Sequence, residues 1–345
     1  MKYSTILYVV ASLALSTGVS AQQQDDEQSS TWRFEFANDA FFDSDNQFTN
    51  GFALQKHGPI ASSLDETTGT AAFGKALARV FLPKTEGLKF REAWSFGQNM
   101  QTPEQIELPD IILDDVPYLG VLAWSSSFIA FDDQRMTGFG WLVGLAGPDS
   151  FAEDVQKAVH KMSDAEDPQG WDHQIDNEPV VSLFYTKKRK LWRTRHFDGA
   201  ASFNAALSNF MALGEVAMEM RIGRMPQGFT YVPDPIGRGL HYNATIPLKD
   251  TTAIYASIVV RATGLAVNMP REGNNFTSSN EWTENNTIEP EDFSSQVFLG
   301  LNFERPKWAF RLNFWLASDS VKPESLSSDE DPENKGGTIT FEWRF

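Results

Sequence analysis

Two stretches far apart in the chain carry side chains able to act on one another. The first, Phe36-Ala-Asn-Asp-Ala-Phe-Phe42 followed by Phe48-Thr-Asn-Gly51, supplies an amide (Asn38), a carboxylate (Asp39) and a hydroxyl (Thr49). The second runs from Gly147-Pro-Asp-Ser150 through Gln156 and His160 to Gly170-Trp-Asp-His-Gln174. An imidazole loses its proton closer to neutrality than any other side chain, so His160 is the candidate to take a proton from an attacking water. Asp39 can offer oxygen to a hard cation such as Ca²⁺, and Asn38 and Thr49 add neutral oxygens or hydrogen bonds for a substrate carbonyl. Gln156 could orient His160 or the water. Water activated beside a cation points to a hydrolase. Each group also has a plainer reading: Asn-Asp suits a turn, Thr-Asn-Gly can open a strand, and Gln156 and His160 can be solvated helix positions. Asp172, Gln174 and Glu178 read as structural rim groups.

The elements that would position these groups are legible. Ser150 followed by Glu153 has the form of a capping box, and Phe151, Val155, Ala158 and Met162 form an apolar stripe expected to dock the helix on its neighbour. Glu153, Gln156 and His160 occupy another face, with Gln156 and His160 one turn apart. Around this helix the pattern is period-2. Segments from Trp32 to Ala37, Phe48 to Gln55, Phe90 to Phe96, Tyr118 to Ala130, Phe139 to Leu145, Val180 to Tyr185 and Asp198 to Leu207 alternate between turn residues. Further segments run from Gly214 to Ile222, Tyr242 to Pro247, Ala253 to Val267, Ser295 to Phe303 and Ala309 to Ala317. The closing segment Gly336-Gly-Thr-Ile-Thr-Phe-Glu-Trp-Arg-Phe345 sets Ile339, Phe341, Trp343 and Phe345 against Thr340, Glu342 and Arg344, like the terminal strand of an outer-membrane barrel. Four large apolar side chains facing water would be an aggregation hazard, whereas facing lipid they are at home. With 27 Phe, 10 Trp and 13% aromatic residues, the composition suits a β protein with an apolar outer face.

The expected fold class is therefore all-β: one transmembrane antiparallel β-barrel of about twelve strands with a short extracellular helix. The polar, acidic stretches Gln101 to Asp115, Asn274 to Phe293 and Ser318 to Lys335 read as its loops. Up-and-down topology makes a further prediction. A strand leaving the periplasm at Trp32 ends outside at Asn38 and Asp39. The strand from Tyr118 returns, turns at Asp132-Asp133-Gln134-Arg135, and the strand from Phe139 climbs out to Gly147. Both candidate stretches thus reach the same outer rim.

Met1-Lys2, the apolar stretch Ile6 to Leu15 and Val19-Ser20-Ala21 have the pattern of a secretory signal over residues 1–21, leaving 22–345 as the barrel domain. Its removal takes away Lys2 and no acid, moving the formal net charge from −17 to −18. Such acidity excludes nucleic-acid binding, which needs a basic footprint. The absence of Cys excludes thiolate metal sites and cysteine nucleophiles. None of His57, His160, His173, His196 or His241 is followed at the second position by Ser, so a strand-borne serine nucleophile in a His-x-Ser arrangement is not indicated.

The ordered set Ala37-Asn38-Asp39, Phe48-Thr49-Asn50-Gly51, Gly97-Gln98 with Thr102-Pro103, Pro117-Tyr118-Leu-Gly120, Gly147-Pro148, Gln156 with His160, and Gly170-Trp171-Asp172-His-Gln174 through Glu178-Pro179 resembles the outer-membrane lipid A 3'-O-deacylase family. Arg261-Ala-Thr-Gly-Leu-Ala-Val-Asn268 and Gly273-Asn-Asn-Phe276 extend the likeness over nearly the whole mature chain. Val116 departs from the family pattern, which usually has Arg before Pro-Tyr. The resemblance implies an active site between barrel wall and extracellular helix, where His160 activates water to attack an ester of the 3'-linked acyloxyacyl chain of lipid A. It implies a Ca²⁺ ion held by Asp39 as Lewis acid, with Asn38, Thr49 and Gln156 in support. The implied partner is lipid A or lipopolysaccharide of the outer leaflet of the cell outer membrane, and a monomer is expected. The rival readings are a deacylase acting on another lipid, and a non-catalytic porin or adhesion barrel whose rim helix only shields it.

Overall fold

A computed structural model describes residues 29–38, 50–68, 72–84, 86–163, 166–234, 238–246, 248, 251–276, 280–326 and 334–345. The proposed signal segment 1–21, Asp39 and Thr49 lie outside the described residues. The alternating segments become β1 (Thr31–Asn38), β2 (Asn50–His57), β3 (Lys89–Gln101), β4 (Leu119–Phe131), β5 (Arg135–Ala146), β6 (Glu178–Arg193), β7 (Phe197–Ser208) and β8 (Met211–Arg224). After a short pair, β9 (Gln227–Gly228) and β10 (Thr245–Ile246), the series resumes with β11 (Ala253–Asn268), β12 (Phe293–Glu304), β13 (Trp308–Ala317) and β14 (Asn334–Arg344). All but β9 and β10 close into one antiparallel barrel of twelve strands, as expected. The seam pairs β1 with β14 in the register Trp32↔Trp343 and Phe34↔Phe341, so the aromatic side chains of both strands share the outer face. Tyr242 to Pro247 departs from the expectation. Only Thr245–Ile246 forms a strand, paired with Gln227–Gly228 outside the barrel sheet. Tyr242 to Thr245 are all buried, and Pro247 lies outside the described residues.

Period-2 alternation sorts the side chains by face. On β1, Thr31, Arg33, Glu35 and Ala37 are buried inside, whereas Trp32, Phe34 and Phe36 point outward. Near the termini, buried charges in the lumen are paired. Arg33 Nε donates to Glu342 Oε1 at 2.8 Å, Arg311 Nη2 to Glu304 Oε1 at 3.0 Å, and Arg344 Nη2 to Glu304 Oε2 at 3.0 Å. Such charges are tolerated away from water because each has a counter-ion and hydrogen bonds.

The segment between β8 and β11 folds back into this half of the lumen as a plug. The Tyr242 carbonyl accepts from Arg33 Nη1 at 2.9 Å, and the Arg33 guanidinium lies over the Tyr231 ring at 4.2 Å. Ser125 Oγ lies 3.2 Å from His241 Nδ1, and the Gly228 carbonyl accepts from both Lys190 Nζ and Arg221 Nη2. The plug thus bonds to β1, β4, β6 and β8 around the circumference.

The end bearing both termini has the three-residue turns Asp132 to Gln134 and Arg305 to Lys307 together with two long connections, 58–88 and 225–252. With the termini at the periplasmic end, as the sequence leads one to expect, the opposite end is the extracellular one. Among the described residues, no helix is long and apolar enough to cross a membrane. Two helices lie against the wall: α1 (Ala72–Phe81) at the periplasmic end and α2 (Ala152–Ser163) at the extracellular end.

Candidate functional site

Strand register brings the extracellular ends of the first four strands together. Asn38 pairs with Asn50, Asn50 with Met100, and Met100 with Gly120. On each strand this position shares the parity of the lipid-facing residues. Asn38 follows Phe34 and Phe36 on β1, and Met100 follows Trp94 and Phe96 on β3. The row therefore lies on the outside of the barrel, spanning about 14 Å from β1 to β4 at the usual strand spacing.

Helix α2 roofs the β3–β4 part of this row. A Cβ placed on Gly120 would stand 2.1 Å from Ser150 Oγ and 2.3 Å from the Ala152 Cβ, so the absence of a side chain at 120 allows the close approach. Gln98 Nε2 donates to the Ser150 carbonyl at 2.6 Å, tying β3 to the start of the helix. Met100, Tyr118, Ala152 and Trp171 form a small apolar core beneath it, with Val155 packed alongside.

The capping box and the apolar stripe are both corrected. Ser150 is fully buried as the last residue of a 3₁₀ turn, Pro148–Ser150, and Phe151 has left-handed backbone (φ 59°) before the helix begins at Ala152. Glu153 pairs with Lys157 at 2.7 Å instead of reaching back. The docked face is Ala152, Val155 and Gln156, while Phe151 and Ala158 are exposed. The wall at Gly120 is too close for a large side chain, so only a small residue and its neighbours one turn on can sit there.

Gln156 is buried, and its Oε1 accepts from Trp171 Nε1 at 2.7 Å. Trp171 is fixed in turn. Its ring packs on Tyr118 with centroids 4.9 Å apart, and its carbonyl accepts from Gln174 Nε2 at 3.0 Å. Burial pushes the Tyr118 hydroxyl up to about 12, so it stays protonated and donates to the Ile106 carbonyl at 3.0 Å. These contacts leave Gln156 Nε2 as a buried donor without a partner. Replacing Trp171 by Phe would orphan the Gln156 oxygen at a cost of about 1–3 kcal/mol. The expected result is faster amide hydrogen exchange across α2 with no change in the barrel strands.

One turn along α2, half-buried His160 places Nδ1 in hydrogen-bond contact with the Glu166 carbonyl. A carbonyl only accepts, so Nδ1 carries the proton and Nε2 of the neutral ring carries the lone pair. Asn38 thus stands at the β1 end of this row, while Gln156 and His160 stand on the helix that roofs its β3–β4 part. Asp39 and Thr49, outside the described residues, are the chain neighbours of Asn38 and Asn50. Among the described residues no cluster of three or more His, Asp or Glu could hold a metal. Two neutral oxygens nonetheless fit a hard cation: Asn50 Oδ1 and Gln98 Oε1 are buried on this face without partners. Both residues belong to the motif set Phe48-Thr49-Asn50-Gly51 and Gly97-Gln98, but sequence alone assigns neither of them a ligand role. Their signal is a polar side chain at an outward position of an otherwise apolar alternation, as with Gln98 after Trp94 and Phe96.

The structural reading holds for Glu178, which is fully buried and accepts from Asn209 Nδ2, Asn274 Nδ2 and the Asn275 and Phe276 amides, clamping three loops. Val116 is buried among loop residues. A guanidinium at this turn comes from Arg271, which donates to Gln101 Oε1 beside Asp115.

Comparison with known proteins agrees with this geometry. The model of the family described as "Outer membrane protein LpxR" matches residues 7–345. Among solved structures, LpxR from Salmonella typhimurium superposes with a TM-score of 0.69 at 13% identity, covering 91% of this chain and 100% of that one. At that identity the likeness shows the fold alone. The β domain of the Bordetella autotransporter BrkA, at a TM-score of 0.40 and 7% identity over 92% of this chain and 99% of its own, is a more distant barrel. A search of curated protein sequences finds no match. With a closed twelve-strand barrel and a family match over nearly its full length, the chain belongs to the LpxR family of outer-membrane proteins.

Proposed function

We propose that the protein is an outer-membrane esterase that removes the 3'-linked acyloxyacyl chain of lipid A. The observation carrying this reading is the position of Gln156 and His160: outside the barrel, at its extracellular end, on a helix docked on the lipid-facing wall. A lipid of the outer leaflet can reach that place without leaving the bilayer. The luminal plug weighs against the porin reading, because the periplasmic half of the pore is occupied by side chains bonded to opposite walls.

The chemistry follows from the ring orientation. Nε2 of His160 takes a proton from water as the water oxygen attacks the ester carbonyl. The developing oxyanion is met by the unpartnered Gln156 Nε2 donor, and collapse breaks the ester C–O bond. The proton on Nε2 then passes to the departing 3'-oxygen, leaving a hydroxyl on the sugar and a free acyloxyacyl acid. Asp39, Asn50 and Gln98 would hold a hard divalent cation such as Ca²⁺, which when bound polarises the ester carbonyl. Asn38, at the end of β1, and Thr49, the chain neighbour of Asn50, are the supporting polar groups. One chain contributes every named group, so a monomer is the expected active form.

The test is to incubate detergent-folded protein with lipid A, with Ca²⁺ or with chelator, and read the products by mass spectrometry. A mass loss equal to the 3' acyloxyacyl group, abolished by chelator, is expected. Intact lipid A under Ca²⁺ would reject the substrate, and equal cleavage with chelator would reject the cation.

A further inference from the structure

We infer that α1 lies in the periplasmic leaflet of the outer membrane, with the flank bearing Phe73 and Val80 buried among phospholipid acyl chains. The helix is docked on the outside of the barrel. On β4 the residues that reach the plug, Ser125 and Ser127, are odd-numbered, so Phe128 and Ala130 point outward. Both are nevertheless buried, and with Phe139 they pack against Ala78 and Leu82. The Phe81 ring stacks on Phe139 with centroids 4.4 Å apart and planes within 6°. The helix therefore covers the last outward positions of β4 before the Asp132 turn. Immediately on its extracellular side is the outward pair Trp124 and Trp141, with ring centroids 4.7 Å apart, which continues the apolar outer face above the helix.

Three faces of α1 have distinct surroundings. Gly74 and Ala78 face the wall. At helical spacing Lys75 and Arg79 fall on one flank, and they are satisfied within the protein: Lys75 Nζ donates to the Asp65 and Thr67 carbonyls, and Arg79 pairs with Asp65. Phe73 and Val80 fall on the opposite flank, 71% and 75% exposed, with Phe81 at 43%. In water this would be an unfavourable apolar strip. Here it extends the apolar outer surface of β4 and β5, in the manner of an amphipathic helix seated at the headgroup and acyl boundary. The outward carboxylate of Glu92, which lipid would not tolerate, lies against Thr67 and Lys75 on the polar side. The inference rests on the membrane placement of the barrel and is independent of catalysis.

The absence of Cys makes the test direct. Single Phe73→Cys, Val80→Cys and Asp65→Cys variants carry a nitroxide, and the full chain is reconstituted into phosphatidylcholine–phosphatidylglycerol bilayers. Collision rates with oxygen, which partitions into lipid, and with a water-soluble nickel chelate give a depth parameter. It is expected to be positive at 73 and 80 and negative at 65, with unchanged circular dichroism. Equal nickel accessibility at all three positions would overturn the inference. So would labels at 73 and 80 shielded from both reagents together with a dimer mass, which would assign the flank to a second copy of the chain.

Discussion

Replacing His160 by alanine is expected to lower ester release from lipid A by roughly 10²–10⁴-fold, the range for losing a positioned general base. The barrel should be unaffected, because His160 is half-buried on a helix outside the barrel sheet. Folding is checked by the heat-dependent gel mobility typical of outer-membrane barrels, and activity by the product mass under saturating lipid. The loss should fall on kcat, since the ring acts on the water and not on substrate binding. Raising the pH should partly restore the variant, because hydroxide attacks without a base, whereas a purely electrostatic role for the ring would leave the deficit unchanged with pH. Retention of most of the wild-type rate would remove His160 from the mechanism and, with it, the proposed path of the proton.

A second large effect is expected far from any reacting atom. Gly120→Ala adds one methyl group where Ser150 Oγ and the Ala152 Cβ stand at 2.1 and 2.3 Å, whereas carbon atoms in ordinary contact are about 3.5–4 Å apart. The start of α2 must therefore lift by more than about 1 Å, and a displacement of that size at a catalytic group costs on the order of 10²-fold in rate. Gly214→Ala on β8 is the matched control: also an outward-facing glycine in a barrel strand, but exposed, with nothing within 4 Å of an added Cβ. The control should keep wild-type activity and the Gly120 variant should not, with equal gel mobility for both. Equal activity in the two variants would mean that the seat of α2 on the wall does not position the site.

The two substitutions bear on different parts of the argument. Loss at His160 alone would support base chemistry while leaving the docking geometry open. Loss at Gly120 alone would point to the roof as a binding surface whose chemistry resides elsewhere along the edge, for example at Asp39.

By itself the sequence determined the barrel and the end at which chemistry is to be sought. Strand alternation is a local property fixed by backbone geometry, so Ile339, Phe341 and Trp343 could be assigned to the outer face from their spacing alone. Alternation of direction then carried Asn38 and the His160 helix to the same rim, and helical spacing set Gln156 and His160 one turn apart. Tertiary structure decided what spacing cannot encode. The apolar stripe through Phe151 and Ala158 was a sound local pattern, yet the helix turned Ala152 and Gln156 to the wall, because the surface it meets is set by Gly120, a residue on another element. The segment from Tyr242 alternated like a strand but packs in the lumen, where long-range bonds from Arg33 to the Tyr242 carbonyl and from Ser127 to the neighbouring His241 carbonyl outweigh the preference for a sheet partner. The partner of Gln156, the orphaned oxygens of Asn50 and Gln98, and the uncovered flank of α1 likewise depend on which strands become neighbours. That is fixed by closure of the whole barrel and not by any segment of it.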